Sequence, residues 1–126
     1  MSDELPVLTN AELAIMQLLW TRGVLSARQI REELYPEGTA SDHGTVQKLL
    51  QRLESKEAVV RDRTHYMHLF EAAITQSEYA GGQLEALADK LTDGSILPFI
   101  SHLVDSKKLS AKERREIRDM LERRKR

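Results

Sequence analysis

The chain has 126 residues, 40% of them hydrophobic and 5% aromatic, and a formal net charge of −1, which fits one ordinary domain or a small domain with an appendage. Cysteine is absent, so disulfides, thiolate metal sites and cysteine nucleophiles are excluded and a reducing compartment is expected. No segment is apolar for long enough to cross a membrane, and the acidic start Met1–Glu4 lacks the basic residues of a signal peptide, so we predict a cytoplasmic protein without membrane insertion.

Two short helices are predicted in the first third of the chain, each beginning at a capping box. In this motif the side chain of a Ser or Thr before the helix accepts from the backbone N–H of the third helical residue. The Glu or Gln at that third position accepts in turn from the backbone N–H of the Ser or Thr. The pairs are Thr9 with Glu12 and Ser26 with Gln29. Val24–Leu25, between the two helices, predicts a short apolar link that could add one strand to a later hairpin.

A third helix carries the most informative pattern of the chain. Its apolar residues recur at i, i+3, i+4 and i+7, which predicts one buried stripe formed by Val46, Leu49, Leu50 and Leu53. We expect Asp42 to cap this helix by accepting from the Thr45 N–H. The opposite face and its flanks carry basic or hydrogen-bonding side chains and no acid before Glu54: His43, Gly44, Thr45, Gln47, Lys48, Gln51 and Arg52.

A basic hairpin is predicted directly after this helix. Ala58–Arg61 predicts a strand, Asp62–His65 a polar turn and Tyr66–Phe70 the return strand. A donor-rich helix followed by a hairpin with arginines at its turn is the arrangement with which a winged helix-turn-helix meets a DNA duplex. We therefore predict that the third helix reads double-stranded DNA and that Arg61 and Arg63 of the wing contact it as well.

The distribution of charge supports this prediction better than the total does. Residues 43–68 hold five Lys and Arg side chains against three acidic ones, whereas residues 1–40 hold three against six. Affinity for phosphate follows such local charge and depends strongly on salt. The surplus is modest, so a single copy is expected to bind weakly and useful affinity is expected to need two copies on one site.

From Thr75 onward the pattern changes to three further helices. Asp93–Gly94 is predicted to end the first, Ser95 to begin a largely apolar second helix, and a capping box of Ser110 with Glu113 to begin the last. The fold class is thus mainly α with a small β-hairpin wing, a winged helix-turn-helix followed by a C-terminal helical region.

Three short helices make a poor core alone, and burying each Leu, Ile or Phe is worth roughly 1.5–3 kcal/mol. Contact between two chains is the simplest way to bury them. We predict a DNA-binding domain over residues 1–74 and a dimerisation domain over residues 75–126 of a homodimer. Its interface is predicted at Leu84, Leu87, Ile96, Phe99, Ile100, Leu103, Ile117 and Leu121.

Two runs of this sequence resemble the penicillinase-repressor family. They are Thr9–Trp20, with its E-x-x-I-M-x-x-L-W pattern, and Thr45–Leu53, with T-V-x-x-x-L-x-R-L, and the likeness extends over nearly the whole chain. The resemblance implies a homodimeric winged-helix repressor that binds a palindromic operator and blocks a promoter. The copper-sensing branch of the family ends in a cysteine-rich motif, which this chain lacks. At Glu57 the family usually has a glycine, so a different exit from the third helix is expected here.

The resemblance also implies a partner. In the family members that control β-lactam resistance, a membrane sensor metallopeptidase triggers cleavage in the dimerisation half. The matching bond is His102–Leu103, where those regulators have an asparagine before an aromatic residue. This departure weakens the implication of protease control and of any link to antibiotic resistance.

Other functions fit the sequence less well. There is no Gly-rich phosphate loop, nucleophile elbow or metalloprotease helix spacing, so no enzyme and no cofactor are expected. His65 and His68 lie three apart in a predicted strand and point to opposite faces, so no metal site is predicted. Trp20 is interpreted as a core anchor. A winged-helix module for protein–protein contact and a regulator that responds to a small molecule remain the alternatives.

Overall fold

The structure, a computed structural model, describes residues 5–124, so the acidic start Met1–Glu4 lies outside the described residues. The helices and strands follow one another as α1 (Asn10–Arg22), β1 (Leu25–Ser26), α2 (Ala27–Leu34), α3 (Ala40–Ser55), β2 (Val59–Asp62), β3 (Leu69–Ala72), α4 (Gln76–Leu91), α5 (Leu97–Asp105) and α6 (Ala111–Arg123). None of the described helices is both long and apolar enough to cross a membrane.

The chain divides into two compact units, Met1–Gly82 and Gln83–Arg126, with the division inside α4. The first unit contains the helices and the sheet predicted for a winged helix. The predicted link at Leu25 is a strand, because β1 pairs with β3 and completes an antiparallel sheet in the order β1-β3-β2. In this sheet Phe70 stands opposite Leu25 on one side and opposite Arg61 on the other.

The core of the first unit is built on the apolar stripe of α3, as the sequence predicted. All four positions of the stripe are at most 5% exposed: Val46, Leu49, Leu50 and Leu53. Apolar residues from α1, α2 and the sheet pack with them, among them Ile15, Met16, Leu19, Leu25, Ile30, Ala58 and Phe70. This packing fixes which face of α3 points away from the core.

Trp20 is an anchor of this core. It packs against the buried cluster, and its Nε1–H donates to the Ile74 carbonyl at 2.8 Å. Its ring lies 6.2 Å from that of Tyr79, whose hydroxyl accepts from the Leu8 N–H at 3.3 Å. The segment after β3 is thereby held against α1.

The capping boxes of α1 and α2 are confirmed, and the box of α1 includes a buried charge. The Thr9 N–H donates to Glu12 Oε1 at 2.8 Å, and the Glu12 N–H donates to Thr9 Oγ1 at 3.2 Å. Glu12 is completely buried, and Lys56 Nζ lies 2.6 Å from the same Oε1. Lys56 also donates to the Val7 carbonyl at 2.9 Å. One ammonium group therefore joins the end of α3 to the beginning of α1.

The pKa of Glu12 reports this environment. Burial alone would raise it, but the hydrogen bonds from Lys56 and Thr9 and the charge of Lys56 together lower the pKa of Glu12 below its ordinary 4.5. The carboxylate is therefore ionised in the folded state at neutral pH.

The beginning of α3 differs from the prediction. The helix starts at Ala40, two residues before Asp42, and its N-cap is Thr39. The Asp42 carboxylate accepts from the Thr39 N–H at 2.9 Å rather than from the Thr45 N–H. Asp42 thus occupies the third helical position of a capping box, where an acid is as favourable as at the cap itself.

The end of α3 also corrects an expectation. Glu57 adopts the left-handed conformation, with φ 61°, that its side chain was expected to prevent. Its N–H donates to the Glu54 carbonyl, and the Ala58 N–H donates to the Leu53 carbonyl, both at 2.9 Å. This is the Schellman ending that a glycine would normally make, and the buried contact of Ala58 with the core accompanies it.

The strands of the wing are displaced along the chain from their predicted positions. β2 ends at Asp62 and β3 begins at Leu69, so Tyr66–His68 belong to the loop between them rather than to a strand. Asp62, the last residue of β2, leads into the loop: its Oδ1 accepts from the Thr64 N–H at 2.9 Å and from the Thr64 hydroxyl at 2.6 Å. These bonds to the Thr64 side chain and backbone lower the pKa of Asp62. The local turn therefore competes successfully with strand pairing.

In the second unit helices end and begin close to the predicted residues. Asp93 and Gly94 both have positive φ after α4, and the capping box of Ser110 with Glu113 begins α6. However, α5 begins at Leu97 rather than at Ser95, with a proline in its first turn, where the missing N–H costs no helical hydrogen bond.

The apolar side chains of this unit are mostly exposed. Ala88 is its one buried hydrophobic residue within the described chain. Of the residues predicted for the dimer interface, Phe99 and Leu103 are half-buried and the others are exposed: Leu84, Leu87, Ile96, Ile100, Ile117 and Leu121. His102 is exposed, and the His102–Leu103 bond lies within α5.

Glu57→Gly should stabilise the first unit. An L-residue in the left-handed region costs about 1–2 kcal/mol, and glycine removes this cost. Glycine also raises the entropy of the unfolded chain, which lowers stability by about 0.4–1 kcal/mol, so a net gain of about 0.5–1 kcal/mol is expected. Urea unfolding measures it. As the control, Gln51→Gly, at an exposed position within α3, should lower the free energy of unfolding by a similar amount. A lower free energy of unfolding in Glu57→Gly would contradict the backbone strain argued for Glu57.

Lys56→Met should destabilise the first unit strongly. It leaves the buried Glu12 carboxylate without its cation, which costs about 3 kcal/mol in pairs of this kind. The double variant Glu12→Gln/Lys56→Met should recover most of the loss, because the neutral amide oxygen that replaces the carboxylate can still accept from the Thr9 N–H. Urea unfolding at pH 7 compares the three proteins, and equal stability of Lys56→Met and the wild type would rule out a role for the pair.

The same comparison has a pH dependence of defined sign. Because the folded-state pKa of Glu12 lies below its ordinary 4.5, its contribution is fully present above that value and is lost as pH falls through the lowered folded value. The stability difference between the wild type and Lys56→Met should therefore shrink on acidification below about pH 4.5.

Candidate nucleic-acid interface

The face of α3 that points away from the core is a surface of exposed polar and basic side chains. Five of the residues predicted to contact DNA are exposed there: Gly44, Thr45, Lys48, Gln51 and Arg52. Because the buried stripe faces the core, these positions are presented outward by a rigid helix rather than by a loop. Lys48 and Arg52 lie one turn apart and supply two cations to the surface.

His43 and Gln47 lie on the flank of α3 that faces the wing, and both are half-buried. The Gln47 amide Nε2 lies 3.3 Å from His43 Nε2. With the ring nitrogen as acceptor, this contact uses one amide hydrogen and leaves the Gln47 oxygen and a second N–H free. Those are the two groups that a glutamine needs for a bidentate contact with adenine.

The two wing arginines, which the sequence treated alike, are in different situations. Arg61 is largely buried: its Nη2 lies 2.8 Å from Glu54 Oε1 and its guanidinium lies 4.7 Å from the centre of the Phe70 ring. Arg63 is exposed in the loop, with Nη2 3.8 Å from Glu54 Oε2. Only Arg63 therefore presents a readily available cation at the wing.

An open groove of about 290 Å³ separates α3 from the wing. The N-terminal end of α2, the flank of α3 and the wing line it: Ser26, Ala27, Arg28, His43, Gln47, Arg61, Tyr66, Met67, His68 and Phe70. Its walls combine polar, basic and aromatic groups. The groove brings His43 and Gln47 together with Arg61, but places them away from Arg52 on the other flank of α3.

Sequence reasoning missed three features of this surface. Glu54 was noted only as the end of the acid-free face, yet it pairs with Arg61 at 2.8 Å and lies 3.8 Å from Arg63. The sequence did hold a signal for this contact, because Glu54 lies one helical turn beyond Leu50 and therefore on the same flank of α3 as Gln47. Arg28 at the start of α2 and the exposed Tyr66 in the wing loop also line the groove. Neither belongs to a periodic sequence pattern that would have identified it.

The wing histidines take separate partners. His68 Nδ1 lies 3.3 Å from Arg61 Nη1, and His65 Nε2 lies 3.7 Å from Asp62 Oδ2. No group of three or more potential ligands that could hold a metal ion occurs within residues 5–124.

The order α1-β1-α2-α3-β2-β3, with an outward-facing polar α3 and a wing beside it, defines a winged-helix DNA-binding fold. A family model described as penicillinase repressor matches residues 8–123, so the chain belongs to the penicillinase repressor family. The resemblance found in the sequence is thereby confirmed, and the protein is a winged-helix transcriptional repressor.

Curated relatives and a solved structure agree with this membership. The penicillinase repressor of Bacillus licheniformis is 23% identical over 119 residues, which cover 94% of this chain and 92% of the relative. That of Staphylococcus aureus is 24% identical over 121 residues, covering 96% and 95%. The solution structure of the DNA-binding domain of the repressor BlaI matches with a TM-score of 0.52 and 26% identity, over 62% of this chain and 94% of that one.

Proposed function

We propose that this repressor is a homodimer that binds a two-fold symmetric DNA operator, with one α3 in the major groove of each half-site. The observation that carries the proposal is the outward face of α3, which combines two cations with hydrogen-bonding side chains and no acid before Glu54. Half-sites one helical turn apart would be separated by about 34–36 Å. Occupation of the promoter by the dimer would then exclude the polymerase.

The residues of this face have different proposed roles. Gln47 and Lys48 are suited to base edges, since a glutamine pairs with adenine and a lysine with guanine. Arg52 and Arg63 are suited to phosphates, which give affinity and register without reading sequence. Gly44 has no atom within 4 Å of the place where a Cβ would stand. It therefore leaves room for the DNA backbone to approach.

The second unit supports the homodimer through its exposed apolar surface. Seven of its exposed hydrophobic side chains lie on α5 and α6 or just before them: Ile96, Leu97, Ile100, Val104, Ile117, Met120 and Leu121. Full burial of each of these side chains is worth roughly 1.5–3 kcal/mol. Apolar surface of this extent is typical of a site that another molecule covers. A second copy supplies a matching surface by symmetry.

The proposed localisation of the repressor is the cytoplasm, where it meets its operator. The predicted partner that would end repression is a membrane sensor metallopeptidase. The family and the fold support a DNA-binding regulator rather than an enzyme. Cleavage at His102–Leu103 would need α5 to unfold locally, because the bond lies inside that helix. Incubation with a membrane fraction that holds such a peptidase, followed by mass spectrometry, would locate the cut.

Selection of duplexes from a randomised DNA pool tests the DNA-binding half of the proposal. The purified protein should enrich a two-fold symmetric motif. On the enriched duplex, Lys48→Ala and Arg52→Ala should each weaken binding more than about threefold at moderate salt, since a single good contact is worth about 1–3 kcal/mol. Lys108→Ala, in the second unit, is the control and should bind as the wild type does.

Two results would count against this assignment. Recovery of unenriched DNA that is lost at higher salt would leave only non-specific charge attraction. Unchanged affinity in both α3 variants, on an enriched motif, would place the reading surface elsewhere.

Ile100→Asp tests the dimer. A charge buried between two apolar surfaces cannot be solvated, so the variant should sediment as a monomer and lose most operator affinity while its first unit stays folded. Ser101→Asp adds the same charge at the neighbouring exposed position and should leave the dimer intact. Identical sedimentation of Ile100→Asp and the wild type would remove Ile100 from the interface.

A further inference from the structure

We infer that Glu54 and Arg61 form a positioning pair that fixes the wing against α3, and that the wing cation which contacts DNA is Arg63. This assigns to Arg61 a role different from the one its sequence position suggests and gives Glu54 a role of its own. The inference rests on the proposed DNA-binding function, because it concerns how the wing of that surface is held.

The guanidinium of Arg61 is enclosed by three groups, one each from α3, the wing loop and β3. Glu54 Oε1, in the last turn of α3, lies 2.8 Å from Nη2, and His68 Nδ1, at the end of the wing loop, lies 3.3 Å from Nη1. The ring of Phe70 lies 4.7 Å below, and the Arg61 side chain is only 14% exposed. A planar cation that pairs with a carboxylate on its edge and stacks on a ring with its face is held in one orientation.

The register of the sheet explains why this arrangement forms. Arg61 of β2 stands directly opposite Phe70 of β3, so the two side chains lie on the same face of the sheet. Phe70 is 1% exposed and belongs to the core cluster. Arg61 therefore covers the outer edge of the core, and Glu54 neutralises the charge that this placement partly buries.

Arg63 differs in each of these respects. Its side chain is 62% exposed, and its distance of 3.8 Å from Glu54 Oε2 is beyond hydrogen-bond length. It lies in the loop after β2, where nothing in the sheet register holds it. A phosphate could take Arg63 by replacing one weak ion pair, whereas binding Arg61 would require breaking all of its contacts.

The two roles predict effects of opposite sign at Glu54. If Glu54 acted only through its charge, its removal beside a DNA surface would strengthen binding by lowering repulsion of the phosphates. If it positions the wing, its removal weakens binding, because Arg61 loses its anchor and the wing loses its place beside α3. Glu71 offers a matched control, since it is an exposed acidic residue of β3, the second strand of the wing.

The experiment measures operator affinity at several salt concentrations for single variants of the intact protein. Glu54→Ala should bind about tenfold more weakly than the wild type, because a wing that is no longer held must be ordered on binding. Glu71→Ala should bind equally well or slightly better. Arg61→Lys, which keeps the charge but not the planar fork, should weaken binding about as much as Glu54→Ala, and the double variant should be no weaker than either single one.

Salt dependence separates positioning from phosphate contact. Arg63→Ala should reduce the slope of log affinity against log salt by about 0.9, as expected for one lost phosphate contact. Adding Arg61→Ala to Arg63→Ala should not reduce the slope further, because Arg61 itself contacts no phosphate. Hydrogen exchange of the amides of residues 63–68, measured without DNA, should be faster in Glu54→Ala and Arg61→Lys and unchanged in Arg63→Ala.

Three outcomes overturn the inference: tighter binding by Glu54→Ala, a slope reduced by about one more in Arg61→Ala/Arg63→Ala than in Arg63→Ala, or unchanged wing exchange in Glu54→Ala. Failure of the proposed function looks different. If the wild type binds no duplex, DNA binding by this surface is rejected, while the exchange measurement still decides whether Glu54 and Arg61 hold the wing.

Discussion

The last turn of α3 is the constraint on which the rest of the first unit depends. Lys56 at its end reaches the buried Glu12 carboxylate at 2.6 Å, and Glu54 reaches Arg61 at 2.8 Å. The two side chains leave α3 in different directions, one toward the start of α1 and the other toward β2. A single helical turn therefore sets the angle of α3 to the core and the position of the wing beside α3.

This arrangement matters because a DNA-reading surface must be rigid before the DNA arrives. Contacts to base edges require side chains to be held within a fraction of an ångström, so each group ordered on binding would lower affinity. The Schellman ending at Glu57 serves the same purpose, since it turns the chain directly into β2 and leaves no flexible link between α3 and the wing.

Local signals made most of the first unit predictable, and the remaining features depend on distant contacts. The stripe of α3 and the capping boxes at Thr9 and Ser26 follow from residues within one or two turns. The sequence predicted Asp42 as the cap of α3, whereas the helix begins two residues earlier, at Ala40, with Thr39 as its N-cap. Arg61 and Arg63 look alike in sequence, and their difference arises because β2 pairs with β3 and so brings Arg61 onto Phe70.

Dimerisation through the second unit, as proposed, explains how a weakly charged reading surface can support repression. A surplus of only two positive charges over residues 43–68 gives each proposed half-site low affinity. Joining two copies makes the second binding step intramolecular, which can raise overall affinity by about 10²–10⁴ without any new contact to DNA. In the proposed dimer, separation of the second units would remove that factor and release the operator while α3 and the wing stayed unchanged. The exposed apolar side chains of α5 and α6 would then govern repression.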